Sequence, residues 1–190
     1  KTEWLFPVPL YGFGLSDCED VNKNIENRVY EKSKKEKTRI ASNEGGWHSD
    51  GSMHDDPVME PIIKFIEWGV RELSIESKME YKAFQIFLWS NLNLPGDYNT
   101  THDHPDCHMS GVYYVKLPRG DCGKLRMYNP MYSYNYNSDG YNPPYKQPRV
   151  DINGKEGALL IFRAPLLHDV TKNNTKEDRI SLSFNIRFER

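Results

Sequence analysis

From Tyr81 onward the apolar side chains of this chain recur at every second position, and that period limits what it can fold into. In YKAFQIFLWSN, Phe84, Ile86 and Leu88 fall on one face and Ala83, Phe87 and Trp89 on the other; GVYYVKLP, KLRMYNP, GALLIFRAP and RISLSFNIRF follow, separated by Gly, Pro, Asn and Asp. Residues two apart on a strand share a face, so these segments read as strands. Their close succession, with no helical pattern between them, predicts antiparallel pairing rather than alternating strand–helix units. The expected architecture is mainly β, an eight-stranded jelly roll over about residues 81–190.

The first third follows other rules. Ile62, Ile63, Ile66, Val70 and Leu73 recur at helical spacing, with Pro57 and Pro61 near the start where proline costs least, which predicts an amphipathic helix between Asp56 and about Leu73. WLFPVPLYGFGL at 4–15 predicts an extended segment laid on a core. The 190 residues fit a single domain, 1–190, with 1–80 as helical and extended support packed outside the β core of 81–190.

Charge narrows the partners. Lys+Arg 25 against Asp+Glu 27 leaves −2, too balanced for gripping a phosphate backbone, so nucleic acid is not expected. The longest basic stretch, EKSKKEKTR at 31–39, is interleaved with glutamates and reads as a solvated surface. No apolar run nears the roughly 18 residues of a membrane span, and no signal peptide pattern opens the chain. Cys18, Cys107 and Cys122 are odd in number and lack CxxC spacing, which suits a reducing compartment; the cytoplasm is the expected location.

Metal chemistry is concentrated in NTTHDHPDCHMSG at 99–111, where His102, His104 and His108 are half of the chain's six histidines. A facial iron site needs three protein ligands, two of which commonly come from an H-x-D, H-x-E or similar pair on one strand. Four pairs have ligand-type residues at i and i+2: His48/Asp50, His54/Asp56, His102/His104 and His104/Asp106. The first two precede the helix in a polar loop and suit capping or surface roles; the other two precede the strand GVYYV. His168, at the end of RAPLLHDV, is the sole histidine downstream of residue 108 and the candidate distal partner. Eleven positions later Arg179 opens RISLSFNIRF, and an arginine with Leu182 and Phe184 as strand neighbours needs an anion, either a ligand or one of the chain's own carboxylates.

Together these segments resemble the Fe(II)/2-oxoglutarate-dependent oxygenases of the double-stranded β-helix fold, a family that includes prolyl hydroxylases. WLFPVPLY, GGWHSD, WSNLNLPGDYN, HDHP with SGVYYV, and RISLSFN are similar, in order and spacing, to the bacterial and phage branch whose strand motif is HxHP followed by SGxYYV. The resemblance implies iron on His102 and His168. It implies 2-oxoglutarate held through its C5 carboxylate by Arg179, with Ser181 as hydroxyl helper and Tyr114 bonding the same carboxylate. His104 stands where most such enzymes place a carboxylate. Its i, i+2 spacing from His102 favours it as the second protein ligand, with Asp106 the alternative and His108 a polar neighbour.

The activity so implied is hydroxylation of a peptidyl residue or small metabolite by molecular oxygen. Two other readings compete. Gly96 and the histidines make a G-x5-H-x-H stretch like the opening of a cupin signature, but no glutamate follows His104 where a cupin needs one, and Arg179 has no role there. A non-catalytic β-sandwich would bind no metal. MYSYNYNSDGYNPPYKQP at 131–148, with five tyrosines, is a candidate pocket-side segment or a self-packed surface loop.

Overall fold

The computed structural model describes residues 8–132 and 147–189. Most of the tyrosine-rich segment lies outside them. Among the described residues, eleven strands form two sheets, with two α-helices on one side.

The chain opens with β1 (Leu10–Gly14) and α1 (Glu19–Lys35), then two short strands, β2 (Asn43–Glu44) and β3 (Trp47–His48), and α2 (Glu60–Ser77). The remaining strands are β4 (Ala83–Asn93), β5 (Tyr98–His102), β6 (Met109–Lys116), β7 (Leu125–Tyr128), β8 (Arg149–Ile152), β9 (Ala158–Arg163), β10 (His168–Val170) and β11 (Arg179–Glu189). The major sheet runs β1-β9-β6-β11-β4-β3 and the minor sheet β2-β5-β10-β7-β8, with antiparallel pairing throughout. This is a jelly roll, as the period predicts: eight strands, β4–β11, lie within 81–190, and the N-terminal third adds three more to the sheets.

The two faces of the major sheet do different work. Ile180, Leu182, Phe184 and Ile186 of β11 point outward with Leu88 and Leu92 of β4 and Leu159 and Ile161 of β9, and the helices cover them through Ile25 and Val29 of α1 and Ile62, Ile66, Val70 and Leu73 of α2. All are buried, and each such side chain contributes about 1.5–3 kcal/mol of transfer free energy. Gly111, of the SGVYYV strand, makes this packing possible: a Cβ there would lie 2.3 Å from the Phe184 ring and 2.5 Å from the Leu160 carbonyl oxygen.

The helix expected from Asp56 begins at Glu60; a short 3-10 turn, Pro57–Met59, precedes it, and the Asp56 side chain accepts from the Val58 N–H at 3.1 Å. Helix α1 was not legible as such, because only Asn22, Ile25 and Val29 of its 17 residues are buried. Its exposed face is laced with i, i+3 and i, i+4 pairs such as Lys35–Glu31 at 2.8 Å. The extended reading of the first residues is met at Leu10–Gly14, which pairs with β9 at the sheet edge.

Candidate functional site

Between the sheets lies a cavity lined by the inner face of the major sheet on one side and by β5 and β10 on the other. The period of two dictates its lining. Because Leu182 and Phe184 face the helices, Arg179, Ser181 and Ser183 face inward, and the paired positions on β4 are Asn93, Asn91 and Trp89. On β6, Tyr114 lies opposite Ser181 and Val112 opposite Ser183.

Three histidines gather at one end. His102 ends β5 and His168 begins β10, and the two are directly opposite each other in the antiparallel ladder. His104 reaches the same place from the loop beyond β5, fixed by its N–H donating to the Ala164 carbonyl at 3.0 Å. Ring centroids are 4.4 Å apart for His102 and His168, 5.0 Å for His102 and His104, and 5.3 Å for His104 and His168. One ring nitrogen from each falls within a 4.8 Å cluster, and among the described residues no other group of three or more His, Cys, Asp or Glu could hold a metal ion.

Tautomers follow from the backbone. His102 Nδ1 is 2.7 Å from the Thr100 carbonyl and His168 Nδ1 is 2.8 Å from the Leu166 carbonyl. A carbonyl only accepts, so each Nδ1 carries a proton and each Nε2 keeps its lone pair for a metal. Burial, then the charges of His102 and His168, lower the His104 pKa to about 3; burial, then the charge of His102, lowers that of His168 to about 4. Both are neutral at pH 7, the form in which imidazole ligates.

The other end is cationic. Arg179 is 1 % exposed, and its Nη1 donates to Asn93 Oδ1 and to Ser181 Oγ, both at 3.1 Å. Its Nε has no partner, nor does the hydroxyl of Tyr114, whose ring centroid is 5.6 Å from the guanidinium carbon. No described carboxylate pairs with this arginine. Burial depresses the Arg179 pKa and raises that of Tyr114, the latter opposed by the Arg179 charge. A buried guanidinium and a buried phenol, each with an unused donor into one cavity, are what a carboxylate completes. Room for the phenol comes from Gly154, where a Cβ would lie 3.0 Å from the Tyr114 ring.

Other candidates lie elsewhere. His108 Nδ1 accepts from the Phe188 N–H at 3.1 Å, a structural bond outside the cluster. Asp50 accepts from the Ser52 N–H and hydroxyl in a turn, and His54 sits edge-on to Phe87. His48 is buried, stacked on Trp89 with centroids 5.9 Å apart, and Trp89 in turn is 5.8 Å from His104. Trp89 was placed in the sequence only on a strand face and Asn93 was not singled out, although their shared parity in WSNLN, opposite to Leu92, marks the inner face.

Comparison with known proteins is consistent with this geometry. Residues 87–185 match a protein family described as "Putative 2OG-Fe(II) oxygenase". A prolyl-4-hydroxylase from Pseudomonas putida superposes with a TM-score of 0.64 at 14% identity, covering 96% of this chain and 94% of that one. A Trichoplax adhaerens prolyl hydroxylase in complex with a hypoxia-inducible-factor peptide fragment gives 0.62 at 14%, covering 94% and 83%. The epimerase SnoN of nogalamycin biosynthesis, in complex with Fe3+, alpha ketoglutarate and nogalamycin RO, gives 0.67 at 12%, covering 96% and 82%. At these identities the structures speak for the fold. No curated protein matches in sequence.

Proposed function

The chain belongs to the 2OG-Fe(II) oxygenase family, whose members use iron(II) and 2-oxoglutarate, and from that premise we propose that it hydroxylates a substrate using His102, His104 and His168 as iron ligands and Arg179, Tyr114 and Ser181 as the 2-oxoglutarate anchor. The observation that carries this reading is the unpaired donor set at the deep end: Arg179 Nε and the Tyr114 hydroxyl, buried and partnerless in the cavity that the three histidines also face.

Each residue then has a task. His102 and His168 donate their Nδ1 protons to carbonyls and so present Nε2 without rearrangement. Arg179 and Tyr114 orient the C5 carboxylate by charge-assisted hydrogen bonds, while Asn93 and Ser181 hold the guanidinium in place. The apolar walls, Val112, Leu125, Phe162 and Val170, keep water from the reacting atoms. Iron bound at the histidines supplies the oxidising chemistry: substrate C–H, oxygen and 2-oxoglutarate become substrate C–OH, succinate and carbon dioxide. Three neutral imidazoles leave such a centre one unit more positive than two histidines and a carboxylate. The fold is shared by neighbours solved with a peptide fragment and with nogalamycin RO; the substrate proposed for this chain is a peptidyl residue or a small metabolite. No helix among the described residues is long and apolar enough to cross a membrane.

Titration calorimetry of 2-oxoglutarate into Mn(II)-loaded protein tests the reading. Arg179→Ala should weaken binding by about 2 to 4 kcal/mol, within the range for truncating a buried hydrogen-bonded charge. Equal affinity in the two proteins would refute the assignment, and absence of succinate from iron-loaded protein under oxygen with candidate substrates would count against hydroxylation.

A further inference from the structure

The inward-facing positions of β11 stay polar beyond what the 2-oxoglutarate anchor uses. From the deep end outward they are Arg179, Ser181, Ser183, Asn185 and Arg187, with Asn93, Asn91, Trp89, Phe87 and Gln85 opposite them on β4. Arg179 and Ser181 belong to the anchor, and Ser183 is engaged by the Asn91 amide at 2.9 Å. Asn185 and Arg187 are left over, on the side of the histidines away from the anchor.

Both are prepared for a ligand. Asn185 Oδ1 is buried and has no hydrogen-bond partner. Arg187 is exposed, but its guanidinium is not loose: it lies 5.5 Å above the centre of the Phe87 ring, and its Nε donates to the Asp106 carbonyl at 3.3 Å. No described carboxylate forms an ion pair with it. A guanidinium held over an aromatic face, with the Cys107 side chain also within its hydrogen-bonding reach, is positioned to offer remaining N–H groups to an oxyanion. Residues two apart on a strand have Cα atoms about 7 Å apart and share a face, so one ligand can meet both side chains.

We infer that Asn185 and Arg187, with Phe87 opposite Asn185 and under the Arg187 guanidinium, form the anchoring subsite for the primary substrate, and that this substrate carries an oxyanion with an N–H or O–H donor a residue or two away from it. The oxyanion docks on Arg187 beside Phe87 and the donor on Asn185, and the substrate continuing past Asn185 runs along Trp89, whose ring centroid is 5.8 Å from that of His104. This deepens the oxygenase reading and rests on it.

The test is a side-chain NMR titration of protein loaded with Zn(II) and 2-oxoglutarate, following the Arg187 Nε–H and Asn185 amide signals. Acetate and inorganic phosphate distinguish the two oxyanion sources; acetyl-glycyl-glycine and its carboxamide separate charge from the rest of the chain. Arg187 should shift saturably with the oxyanion the site accepts. Acetyl-glycyl-glycine should bind at least tenfold more tightly than acetate and move Asn185 as well, and the carboxamide at least tenfold more weakly than the acid. In Arg187→Gln that tenfold preference for the acid should vanish, whereas Arg71→Gln, on the outer helix, should keep it. An Arg187 signal that responds no more than that of Arg71, an unmoved Asn185, or equal affinity for acid and carboxamide would overturn the subsite. Failure of the unsubstituted protein to bind 2-oxoglutarate at all would instead overturn the oxygenase reading beneath it.

Discussion

The two ends of the inner cavity follow opposite electrostatic plans. At the histidine end three imidazoles crowd within a 4.8 Å cluster, and burial together with their mutual repulsion keeps His104 and His168 uncharged. At the deep end a single arginine is 1 % exposed and keeps a charge with no counter-ion among the described residues. One end suits a cation because its ligands shed protons; the other suits an anion because its cation cannot easily shed one. The difference also separates two sources of order. The histidines are aligned by backbone carbonyls, and the arginine by two side chains, Asn93 and Ser181.

Removing a ligand at the histidine end should give the largest effect. His102→Ala, His104→Ala and His168→Ala should each lose more than about 100-fold in iron affinity, beyond the 10- to 100-fold typical of outer-shell changes. Metal content after anaerobic loading measures it, with Asp106→Asn as the contrast that should retain its iron. If Asp106→Asn lost the metal while His104→Ala kept it, the end would not be neutral, and a two-histidine, one-carboxylate centre would replace the one drawn above.

At the deep end the contribution of the phenol is smaller. Tyr114→Phe removes one hydrogen bond to the carboxylate and should weaken 2-oxoglutarate by about 1.5 to 3 kcal/mol, less than the loss of Arg179 if the cation dominates. A Tyr114→Phe loss exceeding that of Arg179→Ala in the same calorimetry would reverse the plan assigned to this end.

Acid should act on the histidine end through stability. His104 and His168 have folded-state pKa values lowered to about 3 and about 4, so between those values and their ordinary 6.5 the unfolded chain binds protons that the native chain refuses. Their neutral forms therefore cost nothing above pH 6.5, and native stability falls as pH drops from there toward 4. Urea unfolding of metal-free protein between pH 7 and 4 should show the decline, and His104→Gln should flatten it. A stability that rose on acidification would contradict the neutral packing of this end.

How much of this could be read from the sequence depended on strand length. The long strands β4, β6 and β11 carry eight to eleven residues of alternation each and announce both their existence and their inner faces. The minor sheet is built from strands of two to five residues, such as the polar YNTTH and HDV at the histidine end, and no periodicity survives in so few positions. His102 was legible through its histidine cluster and His168 as the sole downstream histidine, but that they face each other across one ladder is a tertiary fact. Asn93 escaped notice because an asparagine near a strand end usually means a turn; only its register with Arg179 gives it a role.

Strand β11 also has a consequence for how the protein comes to exist. It sits between β6 and β4, pairing with β4 over all eleven of its residues, yet both neighbours leave the ribosome long before it: Ser183 meets Trp89, 94 positions earlier (183 − 89). Until then β4 and β6 have no common partner, and each offers an unpaired edge to any other chain. Pairings of such long sequence separation are closed late and slowly, so the buried arginine of the cavity, Arg179, arrives with the strand that joins the halves of the sheet. A chain that stalls before β11 is thus a scaffold with exposed edges, and aggregation, rather than mere inactivity, is its natural failure.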